Sequence, residues 1–295
     1  MTTRANTVVA RAHQALSAAA TPGTPVTLIT TAGGPPVTLH RFAAGPRRRL
    51  VIAGVHGSEL SGVEVAERVL ARLAERPVEG TDTLVIPCLF PDHAAIGLRE
   101  GAIPTNRNFP PRGHGLAGDD PRDAMGRPIL PENGVLMAVV AAFQPDRIAT
   151  LHATVHPERA GVFADPHARA DGQIDPDATA ADAALSLALA GFARAHGARV
   201  PGNALDQNGN SVWGGEVADG VSLGTWGPAP VTTPADQARP AIGIITVEID
   251  GLIRSDAPDA PPDRARELDA FARMVVDGFL RDPSPDHVQS ALRSS

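Results

Sequence analysis

The stretch Val51-Ile-Ala-Gly-Val-His56-Gly-Ser-Glu59 is an apolar strand that ends in a tight turn and runs directly into an amphipathic helix. A strand without polar alternation is buried on both faces, and that burial calls for helices above and below a mostly parallel sheet. The following helix carries Val63, Ala66, Val69, Leu70 and Leu73 on one face, sets Glu64 one turn before Arg68, and stops before Pro77. The alternation then repeats. Strands are expected around Leu84 to Phe90, Arg147 to His152 and Ala241 to Ile249, with helices over Glu132 to Phe143, Ala178 to His196 and Arg264 to Leu280. Ahead of them lie an N-terminal helix and a hairpin whose β-branched runs, Pro25 to Thr31 and Pro36 to Phe42, flank Ala32-Gly33-Gly34.

The expected architecture is α/β: a three-layer α/β/α sandwich with a mixed, mostly parallel central sheet. With 295 residues and 43% hydrophobic content the chain can bury a large core, and residues 1–295 read as a single domain. Two stretches break the alternation. Pro91 to Pro131 is crowded with Gly, Pro, Asp and Arg and reads as a long irregular excursion, the kind of loop that carries function when it is ordered. Gly202 to Gly227 is glycine-rich, and the tail after Pro283 is polar and expected to fray.

The net charge of -7 and the lack of a basic stripe argue against nucleic acid as a partner, and Arg47-Arg48-Arg49 reads as a solvated strand start. The single cysteine, Cys88, packs as a small hydrophobe in an apolar run and has no internal disulfide partner, which fits a reducing compartment. Met1 to Ala20 has no uninterrupted apolar core and carries Arg4, Arg11 and His13 at helical intervals, unlike a secretion signal. No stretch reaches the roughly 18–20 apolar residues of a membrane span. A cytoplasmic protein with no membrane partner is expected.

Three core strands each deliver a chemically capable residue at or near the C-terminal end: His56, His152 and Glu248. In open α/β sheets that edge is where ligands bind. His56 and Glu59 together offer an imidazole and a carboxylate, and a catalytic zinc site of the two-His, one-Glu type needs one further histidine and a water. Each residue also has a plainer reading. Ser58 and Glu59 suit the N-terminus of the next helix, His152 suits a hydrogen-bonded core position, and Glu248 suits a buried ion pair with an arginine. In the excursion, Arg107 has a planar fork fitted to a carboxylate and Asn106 adds a directional donor, so the pair forms an anion clamp unless it is an ordinary turn.

The ordered set His56-Gly-Ser-Glu59, Pro91-Asp92, Arg99, Asn106-Arg-Asn-Phe-Pro110, Leu151-His152 and Thr246-Val-Glu248 resembles the motif series of the zinc metallocarboxypeptidases, especially the compact bacterial branch that includes murein peptide amidases. The resemblance spans roughly Leu50 to Gly251. It implies one Zn2+ held by His56, Glu59 and His152, with Glu248 as general base and Arg99 polarising the scissile carbonyl. Asn106 and Arg107 would grip a terminal carboxylate. Ser222-Leu-Gly-Thr225-Trp226 resembles the segment lining the pocket for the terminal residue, although no pocket charge declares the substrate. The implied substrate is a small peptide or acyl-amino acid with a free carboxylate.

Departures from the pattern matter. Many members place an aspartate two positions before the Asn-Arg pair to orient a zinc-binding histidine; here that position is Pro104, and Asp92 is a candidate replacement. The spacing from Arg99 to Asn106 is compressed, and the chain contains no tyrosine to serve as the family's mobile one. Two alternatives remain. One is an N-acyl-amino-acid deacylase of the aspartoacylase and succinylglutamate desuccinylase type, which is disfavoured by the short segment after Glu248. The other is a binding protein, with or without zinc, that has lost turnover.

Overall fold

A computed structural model describes residues 3–19, 21–31, 34–203 and 219–281. The Ala32-Gly33 part of the hairpin turn, residues 204–218 of the glycine-rich stretch and the tail after Pro283 lie outside the described residues. Seven strands form one sheet in the order β1-β2-β4-β3-β5-β7-β6: β1 Val26–Ile29, β2 Val37–Ala43, β3 Arg47–Ala53, β4 Thr81–Ile86, β5 Arg147–Thr154, β6 Gly161–Ala164 and β7 Gly243–Asp250. The central four, β4-β3-β5-β7, are parallel. The edges are antiparallel through β1-β2, β2-β4 and β6-β7, so the sheet is mixed as expected. The chain leaves β3 toward β4 and returns on its other side as β5, which opens a crevice between β3 and β5 at the strands' C-terminal ends.

Alternate residues of the parallel strands feed two separate cores, which establishes the helical layers. Val51, Ala53, Leu151 and Val247 pack with α2 (Leu60–Glu75), α5 (Pro176–Ala195) and α7 (Arg264–Arg273, continuing as a wider helical turn over Met274–Phe279). Leu50, Ile52, Ile148 and Ile244 pack on the other face with α1 (Arg4–Ala18) and α4 (Pro131–Phe143). The amphipathic stripe read in α2 is the buried one: Val69 and Leu73 are 0% exposed, each worth roughly 1.5–3 kcal/mol of burial. Two short helices complete the set, α3 (Pro91–Ala95) and α6 (Leu223–Trp226).

Several expectations shift. Arg49 is not solvated: it is 3% exposed and pairs with Asp146 at 3.2 Å, because β3 lies in the middle of the sheet. The strand expected over Leu84 to Phe90 starts earlier and ends at Ile86. Leu89 and Phe90 leave it to donate to the carbonyls of Ala53 and Gly54 at 2.9 Å. The polar triplet Thr81-Asp82-Thr83 hid that start, and Asp82 is retained there by Arg41. Cys88 is half-buried with a free thiol, which burial pushes up to about 12. Among the described residues no helix is long and apolar enough to cross a membrane.

The long excursion is ordered around one buried carboxylate. Asp123 accepts from the Asn108 amide at 2.9 Å, from Arg127 Nε at 2.6 Å, and from the backbone N–H groups of Met125 and Arg127 at 2.9 and 2.8 Å. Arg127 then donates to the carbonyl of Arg107 at 2.6 Å, and Asn133 of α4 donates to that of Thr105 at 2.8 Å. These bonds set the backbone that presents Asn106 and Arg107. Asp123→Ala strands several buried donors and is expected to destabilise the fold by about 3 kcal/mol. Urea unfolding should show a lower midpoint with an unchanged slope.

Candidate metal centre

His56 sits in the turn after β3, Glu59 immediately precedes α2, and His152 lies on β5 opposite Glu248 of β7. Glu59 is the N-cap residue of α2, although its side chain makes no cap bond. Instead Glu59 Oε2 lies 2.9 Å from His152 Nδ1 and accepts from the N–H of Ala153 at 3.1 Å. Close approach of α2 to β5 makes this possible: a Cβ on Gly62 would stand 2.6 Å from the carbonyl of Leu151, so only glycine fits there.

Donor atoms of His56, Glu59 and His152 all lie within 4.8 Å of one another. All three side chains are buried, with Glu59 2% and His152 4% exposed. A tetrahedral ion with ligand distances of about 2.0–2.2 Å holds its donors roughly 3.5 Å apart, so small rotations close the set. Two imidazoles and a carboxylate suit a borderline divalent cation. The residues present therefore fit a metal.

The charges are arranged accordingly. Burial alone would raise Glu59, but His152, His56 and Arg99 outweigh it and hold the carboxyl at about 2. Burial lowers His56 in spite of its Glu100 partner, favouring the neutral imidazole that metals bind. His152 is raised: burial opposes its charge, and Glu59 overrides burial. A cation taking this position competes with that proton and must release it. Glu248 forms no ion pair among the described residues, and burial pushes it up to about 7 against the pull of His152.

Glu100, which the sequence reading missed, is the carboxylate that meets His56. Its Oε1 is 2.9 Å from His56 Nδ1, and the hydroxyl of Thr105 is 3.3 Å from the same nitrogen. The bond from His56 holds Glu100 below the usual carboxylate range. Metal-binding histidines ordinarily carry such a partner. Asp92 does not supply one, since its Oδ1 accepts from Thr31 at 2.6 Å, away from His56. Glu100, four residues before Pro104, is thus the carboxylate in contact with His56.

A cavity of about 980 Å³ opens over the site and is lined by His56, Glu59, His152, Glu248, Arg99, Asn106 and Arg107 among others. Arg99 is half-exposed and donates to Glu59 Oε1. Asn106 Oδ1 accepts from the N–H of Leu223 at 3.2 Å, which turns its amide toward α6. Arg107 borders the cavity with Asp219 3.4 Å from its Nε. Ser222 caps α6 by accepting from the N–H of Thr225 at 3.1 Å, and both residues line the wall. Trp226 lies behind that wall. It is 2% exposed, donates to the carbonyl of His114 at 2.7 Å, and stacks under Arg239 at 4.2 Å, so it shapes the pocket without touching its contents. Glu100, Arg112, Arg159 and Asp165 also line the cavity and carried no strand or motif signal.

The fold has solved counterparts. Murein-tripeptide amidase MpaA from Escherichia coli O157 aligns with a TM-score of 0.53 and 20% identity, covering 90% of this chain and 95% of that one. A metallo-carboxypeptidase from Burkholderia cenocepacia gives 0.51 at 16% identity, covering 96% and 68%. The carboxypeptidase A from Helicoverpa armigera gives 0.51 at 13%, covering 92% and 69%. No family model matches the chain, and no curated protein is detectably similar in sequence. At these identities the likeness is one of fold, and it agrees with the carboxypeptidase resemblance drawn from the motifs.

Glu100→Gln should lower divalent-metal affinity by about 10- to 100-fold, because it weakens the acceptor that orients His56. Competition with a chromophoric chelator reads the change directly. Equal affinities for wild type and variant would remove Glu100 from the site.

Proposed function

We propose that this chain is a zinc-dependent hydrolase that cleaves a peptide or amide bond next to a free carboxylate, with His56, Glu59 and His152 holding one Zn2+. The observation that carries the reading is the register of β5 and β7, which sets Glu248 directly opposite His152 at the mouth of the three-donor group. When bound, the ion supplies Lewis acidity and a water whose pKa falls to about 7.

Glu248 would serve as general base toward the attacking water and return that proton to the leaving amine. Burial raises its carboxyl to about 7 in the metal-free chain, and a bound cation would draw it back toward the ionised form that accepts a proton. Arg99, half-exposed beside Glu59, offers its guanidinium to the carbonyl oxygen as charge develops there. Asn106 and Arg107 hold the substrate's carboxylate, with Arg107 exchanging its loose contact to Asp219 for a two-pronged one. Ser222 and Thr225 form the adjoining wall.

Glu248→Gln should retain the metal and lose about 10²- to 10⁴-fold in kcat. In the wild type, kcat/KM should fall as pH drops through the Glu248 titration, since the protonated acid cannot accept a proton, and a bound cation moves that limb below 7. Metal analysis and pH-rate profiles on a panel of short peptides and acyl-amino acids test both points. Full activity of Glu248→Gln would overturn the assignment of the base, and zinc binding without turnover across the panel would favour the binding-protein alternative.

Arg107→Ala should mainly raise KM for substrates with a free terminal carboxylate. The comparison is between free and amidated forms of one substrate. An unchanged preference would remove the clamp.

A further inference from the structure

The one-turn helix α6 forms a wall of the cavity, yet four residues make too few internal bonds to hold themselves in place. Its far end is tied by Arg239, which the hydrolytic reading does not use. The Arg239 fork donates to the carbonyls of Gly227 and Ala229 at 3.0 Å each, to that of Pro240 at 3.0 Å and to that of Trp226 at 3.2 Å. Its guanidinium lies 4.2 Å over the Trp226 ring. The Arg239 backbone exchanges two hydrogen bonds with Val231 at 3.0 Å, which closes the loop between them.

Arg239 is 5% exposed and does not border the cavity. Among the described residues no carboxylate pairs with it, and burial pulls its guanidinium down to about 9. A buried cation without a counter-ion is costly, and an apolar side chain would fill the same space at less cost. What the planar fork adds is rigid, directional geometry.

That geometry reaches the carboxylate clamp by two routes. Through the helix, the N–H of Gly227 donates to the carbonyl of Leu223 at 2.7 Å, and Leu223 gives its own N–H to Asn106 Oδ1 at 3.2 Å. Through the ring, Trp226 stacks on Phe109 at 5.6 Å, two residues beyond Arg107, and Phe109 donates to the carbonyl of Val221 at 3.2 Å. Gly227 also seats the helix closely on β7, where a Cβ would stand 2.6 Å from the Ile244 side chain.

We propose that Arg239 is a positioning residue for the carboxylate clamp, fixing α6 and the Trp226 ring so that Asn106 and Arg107 meet the substrate's terminal carboxylate together. This deepens the hydrolase reading and rests on it. Arg239 touches no substrate atom; it governs affinity for the free carboxylate and leaves the metal donors and Glu248 as they are.

The test uses the full chain loaded with zinc and a panel of N-acetyl dipeptides, each paired with its C-terminal amide. Arg239→Lys keeps the charge but replaces the fork with a single ammonium. It should raise KM for the free acids about tenfold, with kcat and the amide KM within about twofold of wild type, so the preference for the free form falls about tenfold. A residue that only supported the fold would lower Tm and the active fraction, reducing kcat for both forms alike and leaving the preference intact. An unchanged preference in Arg239→Lys overturns the proposal. If that variant does not fold, as judged by circular dichroism, Trp226→Phe decides: it thins the ring face under the guanidinium and should move the preference in the same direction, and no movement overturns the proposal. If wild type hydrolyses nothing in the panel, the hydrolase reading has failed, and calorimetry with the same acids and amides carries the test. Tighter binding of the acids to wild type, lost in Arg239→Lys, supports the positioning role; equal binding of acid and amide to wild type, or a preference kept by the variant, overturns it.

Discussion

The Glu59 carboxylate is the interaction on which the site depends. It joins the turn after β3 to β5 by accepting from His152 and the N–H of Ala153, and it draws in Arg99 from the excursion. Three segments far apart in the chain meet on one side chain. Its cost is burial of a full negative charge, and the surrounding imidazoles and guanidinium offset that cost strongly enough to hold the acid at about 2. A buried carboxylate so compensated keeps its charge near neutral pH, which a metal ligand requires.

The sheet explains why the polar groups collect where they do. Ile148 and Ile244 bury one face of β5 and β7, whereas Thr150, His152, Thr246 and Glu248 follow on that same face toward the strands' C-terminal ends. The change from apolar to polar marks where α4 ceases to cover the sheet and the cavity begins. That transition was legible in the sequence because period-two alternation assigns faces without any knowledge of the fold. His152 and Glu248 were readable from strand position, whereas His56 and Glu59 were read from the His-x-x-Glu turn that follows β3, and the parallel core of the sheet from the alternation of strands and helices.

What was not legible lies where no periodicity exists. β6 is four residues long and lies at an edge of the sheet, so Gly161 to Ala164 offered too little pattern, and Asp165 was lost with it. Glu100 sits in irregular chain whose path is set by Asp123, Asn108 and Arg127, contacts that span up to twenty residues. Trp226 shows the converse error. Its place in a recognised segment suggested contact with substrate, but a large aromatic ring next to Phe109 and Arg239 contributes more by filling the core than by facing water.

The lining of the cavity is charged in a way that composition conceals. The chain's net charge of -7 says only that acids outnumber bases overall. Within the cavity Arg99 and Arg159 share the lining with Glu248 and Arg107 shares it with Asp219, and α6 lies between Asn106 and Asp165 with a glycine on the acidic side. Cations so close to buried acids pull their carboxyls back toward the charged form against the cost of desolvation, as Arg99 and Arg159 do at Glu248 and Arg107 does at Asp165.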